Sequence, residues 1–198
     1  MFADLLASPG VEEILELRSN VGFLAFHGGS LERQTDVIAL DAAARAGASV
    51  YAVVQPPDLR WHIPSVDVSP DASPALHAFV EHVDVAVALH GYGRDGLWTT
   101  LLLGGTNRAL AEHLGAALDV ALPDYEHVRD LDVIPADLRG LHPRNPVNLP
   151  RLGGVQVELP PRVRGTTPHW AGWEGPGHCP PMEALVAALA DAVTTWRP

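Results

Sequence analysis

Two histidines each close a hydrophobic run and open onto glycine: Val21-Gly22-Phe23-Leu24-Ala25-Phe26-His27-Gly28-Gly29 and Val85-Ala86-Val87-Ala88-Leu89-His90-Gly91. An unbroken apolar run fits a strand covered on both faces of a parallel sheet. Each imidazole then stands where such a strand stops, at the edge where open α/β sheets carry their sites. Glu32 follows His27 within one loop-to-helix turn. Gly28 and Gly29 let the backbone come close to an ion or ligand. Two imidazoles and a carboxylate are the ligand set of a catalytic zinc with one position left open, each donor at about 2.0–2.2 Å. His27 and Glu32 alone read equally well as a hydrogen-bonded strand-end histidine and a solvated helix start. The second strand-end histidine, His90, turns the pattern toward a metal.

Glu158 follows Val155-Gln156-Val157 and sits on a strand among apolar residues. A strand glutamate facing the core is costly unless paired, and one facing a metal-activated water is a general base. The plainer alternative is that strand alternation turns it to solvent. Arg144, Asn145, Asn148 and Arg164 are the candidate substrate-binding groups. Arginine holds a carboxylate with two parallel hydrogen bonds, and asparagine can donate to a carbonyl oxygen. His62, beside a proline turn, reads equally as pocket lining or as structure. His77, His82, His113, His127, His142 and His169 show no partner pattern, and His178-Cys179 lacks further ligands.

These groups need elements to position them. Val11 to Leu17 reads as a short helix or helical turn. Val21–Phe26, Ser49–Val54, Val83–Leu89, Leu101–Leu103 and Gly154–Leu159 read as strands. Ser30 is placed as the cap of a helix running to about Ala46, Pro74–His82 as a helix with proline in its first turn, and Thr106 as the cap of a helix carrying Leu110, Leu114 and Leu118. Pro181–Trp196 reads as a closing amphipathic helix. Leu59–Val68 and Arg162–Cys179 are loop-like, and Leu122 to Arg151 is the long irregular kind of segment that builds sites. Strands alternating with helices predict a single-domain, three-layer α/β fold over residues 1–198 with a mostly parallel central sheet.

The chain has 198 residues and a formal net charge of −11. That balance argues against nucleic acid, whose binding rests on neutralising phosphates with Lys and Arg. No apolar run approaches the roughly 20 residues that span a bilayer, so no membrane association is expected. The amino-terminal residues lack a basic start and reach Glu12, Glu13 and Glu16 quickly, unlike a secretory signal, and a cytoplasmic location is the expectation. The one cysteine, Cys179, excludes an internal disulfide and a multi-cysteine zinc site. Oligomeric state cannot be read from the sequence.

Several motifs occur in a characteristic order: His27-Gly28-Gly29-Ser30-Leu31-Glu32 with Thr35, Trp61-His62-Ile63-Pro64-Ser65, Ala88-Leu89-His90-Gly91, Leu103-Gly104-Gly105, Asn145-Pro146-Val147-Asn148, and Gly154-Val155-Gln156-Val157-Glu158-Leu159. In order and spacing the chain resembles the poly-γ-glutamate hydrolase family, from about Gly22 to Arg164. The resemblance implies a zinc carboxypeptidase-like fold, zinc held by His27, Glu32 and His90, and Glu158 as general base. It implies hydrolysis of the γ-glutamyl amide of a glutamyl polymer. Four residues separate His27 from Glu32, as in that family, where classical carboxypeptidases have two. Arg144 or Asn148 would stabilise the oxyanion, and Arg164 would hold a glutamate carboxylate.

Two rival readings keep the same scaffold. One is a zinc deacylase or carboxypeptidase acting on small acyl-amino acids or peptides. The other is a metal- or ligand-binding domain without turnover.

Overall fold

The computed structural model describes residues 1–198, and its seven strands form one mixed sheet. The strands are β1 (Glu12–Glu16), β2 (Val21–Gly29), β3 (Ser49–Gln55), β4 (Val85–Gly91), β5 (Thr100–Leu103), β6 (Glu126–Val128) and β7 (Gly154–Leu159). The helices are α1 (Phe2–Leu6), α2 (Thr35–Ala46), α3 (Pro74–His82), α4 (Arg108–Ala121) and α5 (Pro180–Thr195). Across the sheet the order is β1-β3-β2-β4-β7-β5-β6. The four central strands run parallel, while β1 and β5 are antiparallel to their inner neighbours. The expected mostly parallel α/β fold is therefore the observed one.

Successive strand side chains point to opposite faces, and the two faces are covered differently. Val85, Val87 and Leu89 of β4 and Val155, Val157 and Leu159 of β7 pack under α2, α4 and α5 in the larger core. On α5, Leu185, Val186, Leu189 and Val193 complete that layer. A fully buried side chain of this kind contributes about 1.5–3 kcal/mol. Ala86 and Ala88 face the other way and join Leu24, Phe26, Tyr51 and helices α1 and α3 in a second core. By alternation this second face also carries His90, Gln156 and Glu158. Toward its far end no helix covers it. The irregular segment after β6 crosses there, and its short 3-10 turn Pro146–Asn148 packs on β4 and β7.

The connections explain where a site can form. β2 leads through α2 to β3 on one side, and β3 leads through α3 to β4 on the other side of β2. Helices α2 and α3 cover opposite faces. The strand order thus reverses between β2 and β4, the topological switch point whose carboxyl edge opens a crevice. His27 and His90 end these two strands.

Four local readings are corrected. Val11 to Leu17 is not helical, because Glu12–Glu16 pairs along the edge of β3 in the register Glu12↔Val54 to Glu16↔Val50. Its glutamates are usable there, since Tyr51 donates its hydroxyl proton to Glu13 at 2.7 Å, and charged residues suit an edge strand. Helix α2 starts only at Thr35, and the Ser30 hydroxyl instead donates to the Leu59 carbonyl. Helix α4 is capped by Asn107, whose Oδ1 accepts from the Leu110 N–H at 2.9 Å, while the Thr106 hydroxyl donates to Asn148. The segment from Leu122 to Arg151 contains the short strand β6, paired parallel to β5. No helix is long and apolar enough to cross a membrane.

Candidate metal centre and its cleft

The register of β2 against β3 shifts between Ala25 and Gly28. Bulges of this kind re-aim side chains next to sites, and this one falls on Phe26 and His27. The Phe26 ring stands edge-on to both His27 and His90, with centroids 4.9 Å away in each case. It fixes the two imidazoles 5.1 Å apart, centroid to centroid. Glu32 lies between them. One carboxylate oxygen is 2.9 Å from His27 Nδ1, and the other is 3.4 Å from His90 Nδ1. The second oxygen also accepts the Gly91 N–H at 2.9 Å. Gln34, which follows two residues on, is the one non-glycine residue with a positive φ, at 76°. Strained backbone of this kind persists where its surroundings hold it, often beside a site.

The donor chemistry tests whether these residues suit a cation. His27 Nε2 lies 2.8 Å from the Ile63 carbonyl oxygen. A carbonyl only accepts, so Nε2 carries a proton and Nδ1 is the ring nitrogen turned to Glu32. Facing electron pairs there would repel, so this contact calls for a proton or a metal ion between the two atoms. His90 turns Nδ1 to the same carboxylate, and its Nε2 is buried without a partner. Two ligand atoms on one tetrahedral zinc stand about 3.3 Å apart, which the observed 2.9 and 3.4 Å bracket. The two contacts go to different oxygens of Glu32. Donor atoms of His27, Glu32 and His62, which comes from the loop after β3, all lie within 4.8 Å of one another, so the converging set has His62 where His90 was expected, and His90 stands beside it. Nitrogen and oxygen donors of this kind suit a divalent ion.

The charges within the cluster support one another. Burial alone would raise the Glu32 carboxyl, but His90 and His27 outweigh it and keep it well below the usual carboxylate range. Burial opposes a proton on His90, yet Glu32 outweighs this and raises the imidazole. The looser His62 is lowered, first by burial and then by His27.

Glu158 pairs in register with His90 across β4 and β7, so the two side chains share a face. It is 3% exposed and does not point to solvent. Burial pushes its carboxyl up, and Glu32 adds to this against the pull of His90. Gln156, two positions earlier on the same face, donates from Nε2 to Glu158 Oε1 at 2.8 Å. Its Oε1 accepts from Asn145 Nδ2 at 2.8 Å. The relay Asn145–Gln156–Glu158 is packed against Gly140, where a Cβ would come within 2.6 Å of the Gln156 amide oxygen. Glu158 therefore has one orientation imposed on it from behind.

An open cleft of about 870 Å³ lies in front, lined among others by His27, Glu32, His62, His90, Arg139, His142 and Glu158. That volume is in the range of small-molecule sites, roughly 300–1,000 Å³.

Three residues expected to bind substrate are placed otherwise. Arg144 is exposed on the turn before Asn145 and does not line the cleft. Asn148 spends its amide on structure: Oδ1 accepts from Thr106, and Nδ2 donates to the carbonyls of Gly140 and His142. Arg164 is 7% exposed and braces the site from behind, donating to the carbonyls of Leu159, Arg33 and Tyr92 at 3.0, 2.7 and 3.3 Å. A Cβ on Gly91 would lie 2.8 Å from the centre of that guanidinium. Arg164→Ala would strip three carbonyls of a charged donor, at about 1–3 kcal/mol each before water enters. We expect a loss of about 3 kcal/mol or more in urea unfolding, and a loss below ~1 kcal/mol would contradict the bracing role. Arg139 is the arginine that does line the cleft, its Nε donating to the Ile134 carbonyl at 2.8 Å, and nothing in its sequence context marks it. Gln156 was findable, being on the same strand face as Glu158.

Fold and site together define a class: a three-layer α/β protein with a His–Glu–His cluster at the switch point of its parallel strands. The chain belongs to the poly-gamma-glutamate hydrolase family, whose model matches residues 7–167. Among solved structures it is similar to a bacteriophage poly-gamma-glutamate hydrolase, at 19% identity over 94% of this chain and 90% of that one, with a TM-score of 0.77. It is also similar to the zinc-free form of a protein named YNDL, at 21% identity over 93% and 90% of the two chains, with a TM-score of 0.75. A gene product of Agrobacterium tumefaciens shares the fold more distantly, at 11% identity over 94% and 95% of the chains, with a TM-score of 0.54. No curated protein matches the chain.

Proposed function

We propose that this chain is a zinc-dependent amide hydrolase that cleaves γ-glutamyl bonds, with residues 1–198 acting as one hydrolase unit. The observation that carries the reading is the pair of buried imidazoles whose Nδ1 atoms both turn to Glu32, beside a second buried carboxylate on the next strand. His27, Glu32 and His90 would hold the ion, with His62 at the open mouth. Zinc bound there supplies Lewis acidity toward a water molecule and toward the carbonyl oxygen of the scissile amide. Glu158 takes the proton of the attacking water and passes it to the leaving nitrogen. Gln156 holds the carboxylate in the orientation that transfer needs. Arg139 takes the electrostatic role expected of Arg144, meeting developing negative charge or a substrate carboxylate in the cleft. Family membership supports the γ-glutamyl substrate.

Elemental analysis of the purified protein tests the centre. About one zinc per chain is expected, and no zinc after reconstitution at neutral pH would overturn the mechanism. Gln156→Leu is expected to keep the zinc and the KM while lowering kcat by about 10–100-fold. A variant that changed KM instead would make Gln156 a substrate contact and not a positioning residue.

A second reading keeps the site and shortens the substrate. The formal charge of −11 opposes a polyanion at long range, which favours a small γ-glutamyl peptide or acyl-amino acid.

A further inference from the structure

Leu31 separates the cleft from a second, shallower groove and lines both. The groove passes Ser30, Arg33, Arg60, Trp98 and Arg164. It continues toward Gly29 and Gln55, with Ser30, Arg33 and Arg60 common to both stretches, whose volumes are about 390 and 410 Å³. Five arginines pair with a carboxylate: Arg18, Arg45, Arg94, Arg129 and Arg151. Arg33 and Arg60 are exposed, stand outside those pairs and line the same groove. Arg33 lies beside buried Arg164, whose guanidinium donates to the Arg33 carbonyl at 2.7 Å. The one carboxylate lining the groove, Asp36, accepts the Gly29 N–H at 3.1 Å and is mostly buried. On the wall by Arg164, the Thr167 hydroxyl is buried without a hydrogen-bond partner.

A groove with two unpaired guanidinium groups and an unused hydroxyl suits carboxylates displayed along a chain, because guanidinium takes a carboxylate with two parallel hydrogen bonds. Leu31 lines both the groove and the cleft, so a chain held by Arg33 needs to pass only that one side chain to reach the cluster. We propose that Arg33 and Arg60 form a carboxylate-binding subsite beyond Leu31. An acidic γ-glutamyl chain then lies across the cluster with one or more α-carboxylates held outside the cleft. The inference rests on the reading that this site cuts γ-glutamyl amides, and it selects the extended polyanion over the small amide. It also answers the charge objection: the whole molecule repels a polyanion, while the path along the groove is locally positive.

The test uses the zinc-loaded protein carrying Glu158→Gln, so that ligand is bound and not consumed. Calorimetry compares a γ-linked glutamate dimer with a γ-linked octamer, before and after the double substitution Arg33→Gln and Arg60→Gln, with Arg197→Gln as a charge control on another face. The octamer is expected to bind on the order of tenfold or more tightly than the dimer. That advantage is expected to vanish in the double variant and survive in the Arg197 control. An octamer with no advantage, or an advantage that outlasts loss of both arginines, overturns the subsite. Turnover of both oligomers by the unsubstituted enzyme is read separately. Length-dependent binding without hydrolysis would overturn the proposed function and leave the subsite standing. Hydrolysis without length dependence would do the reverse.

Discussion

Glu158→Gln is expected to keep its zinc, its fold and its substrate affinity, and to lose turnover by about 10²–10⁴-fold, the range a positioned general base contributes. The substitution is nearly isosteric, and the neutral amide can still accept from Gln156, whose Nε2 lies 2.8 Å from the present carboxylate. What it cannot do is take a proton from water. The buried position makes the comparison clean, because no neighbouring acid can substitute: Glu32 is engaged by His27, His90 and the Gly91 N–H. Steady-state kinetics with a metal assay on the same sample checks this. Near-normal kcat in a zinc-replete Glu158→Gln protein would remove Glu158 from the reaction.

His90→Ala has the other large effect, and it acts on the metal. The variant removes one of the two nitrogens aimed at Glu32 and leaves that carboxylate buried with less compensation. Losing even an outer partner of a ligand costs about 10–100-fold in metal affinity, so loss of a ligand itself is expected to exceed ~100-fold and to abolish activity at equimolar zinc. His27→Ala is expected to match it and in addition to free the Ile63 carbonyl, which now accepts from Nε2 at 2.8 Å. Ligand binding to the native state stabilises by about 2.7 kcal/mol at a hundredfold excess over Kd. Zinc should therefore raise the Tm of the unsubstituted protein and leave both variants unmoved. An equal Tm rise in all three would place the ion elsewhere.

His27, His90 and Glu158 were legible because strand pattern carries direction as well as burial. A run that alternates or stays apolar tells where its last side chain points, and the parallel sheet brings such ends to one edge. Arg144, Asn148 and Arg164 lie in irregular segments, where type and sequence distance say nothing about direction. There the backbone's own needs decided: Asn148 and Arg164 became donors to carbonyls that no ladder satisfies. Arg33 and Arg60 lie in irregular segments of the same kind. The segment Val11 to Leu17 misled because its helix-like spacing is local, whereas its partner β3 lies far along the chain. Tertiary pairing overrides such weak propensities.

The measurement closest to the central claim is amine release by the zinc-loaded protein from glutamate oligomers of equal length, one γ-linked and one α-linked. The account predicts hydrolysis of the γ-linked oligomer, abolished by Glu158→Gln, with the α-linked oligomer intact. Equal cleavage of both, or cleavage of neither by a protein carrying one zinc per chain, would contradict it.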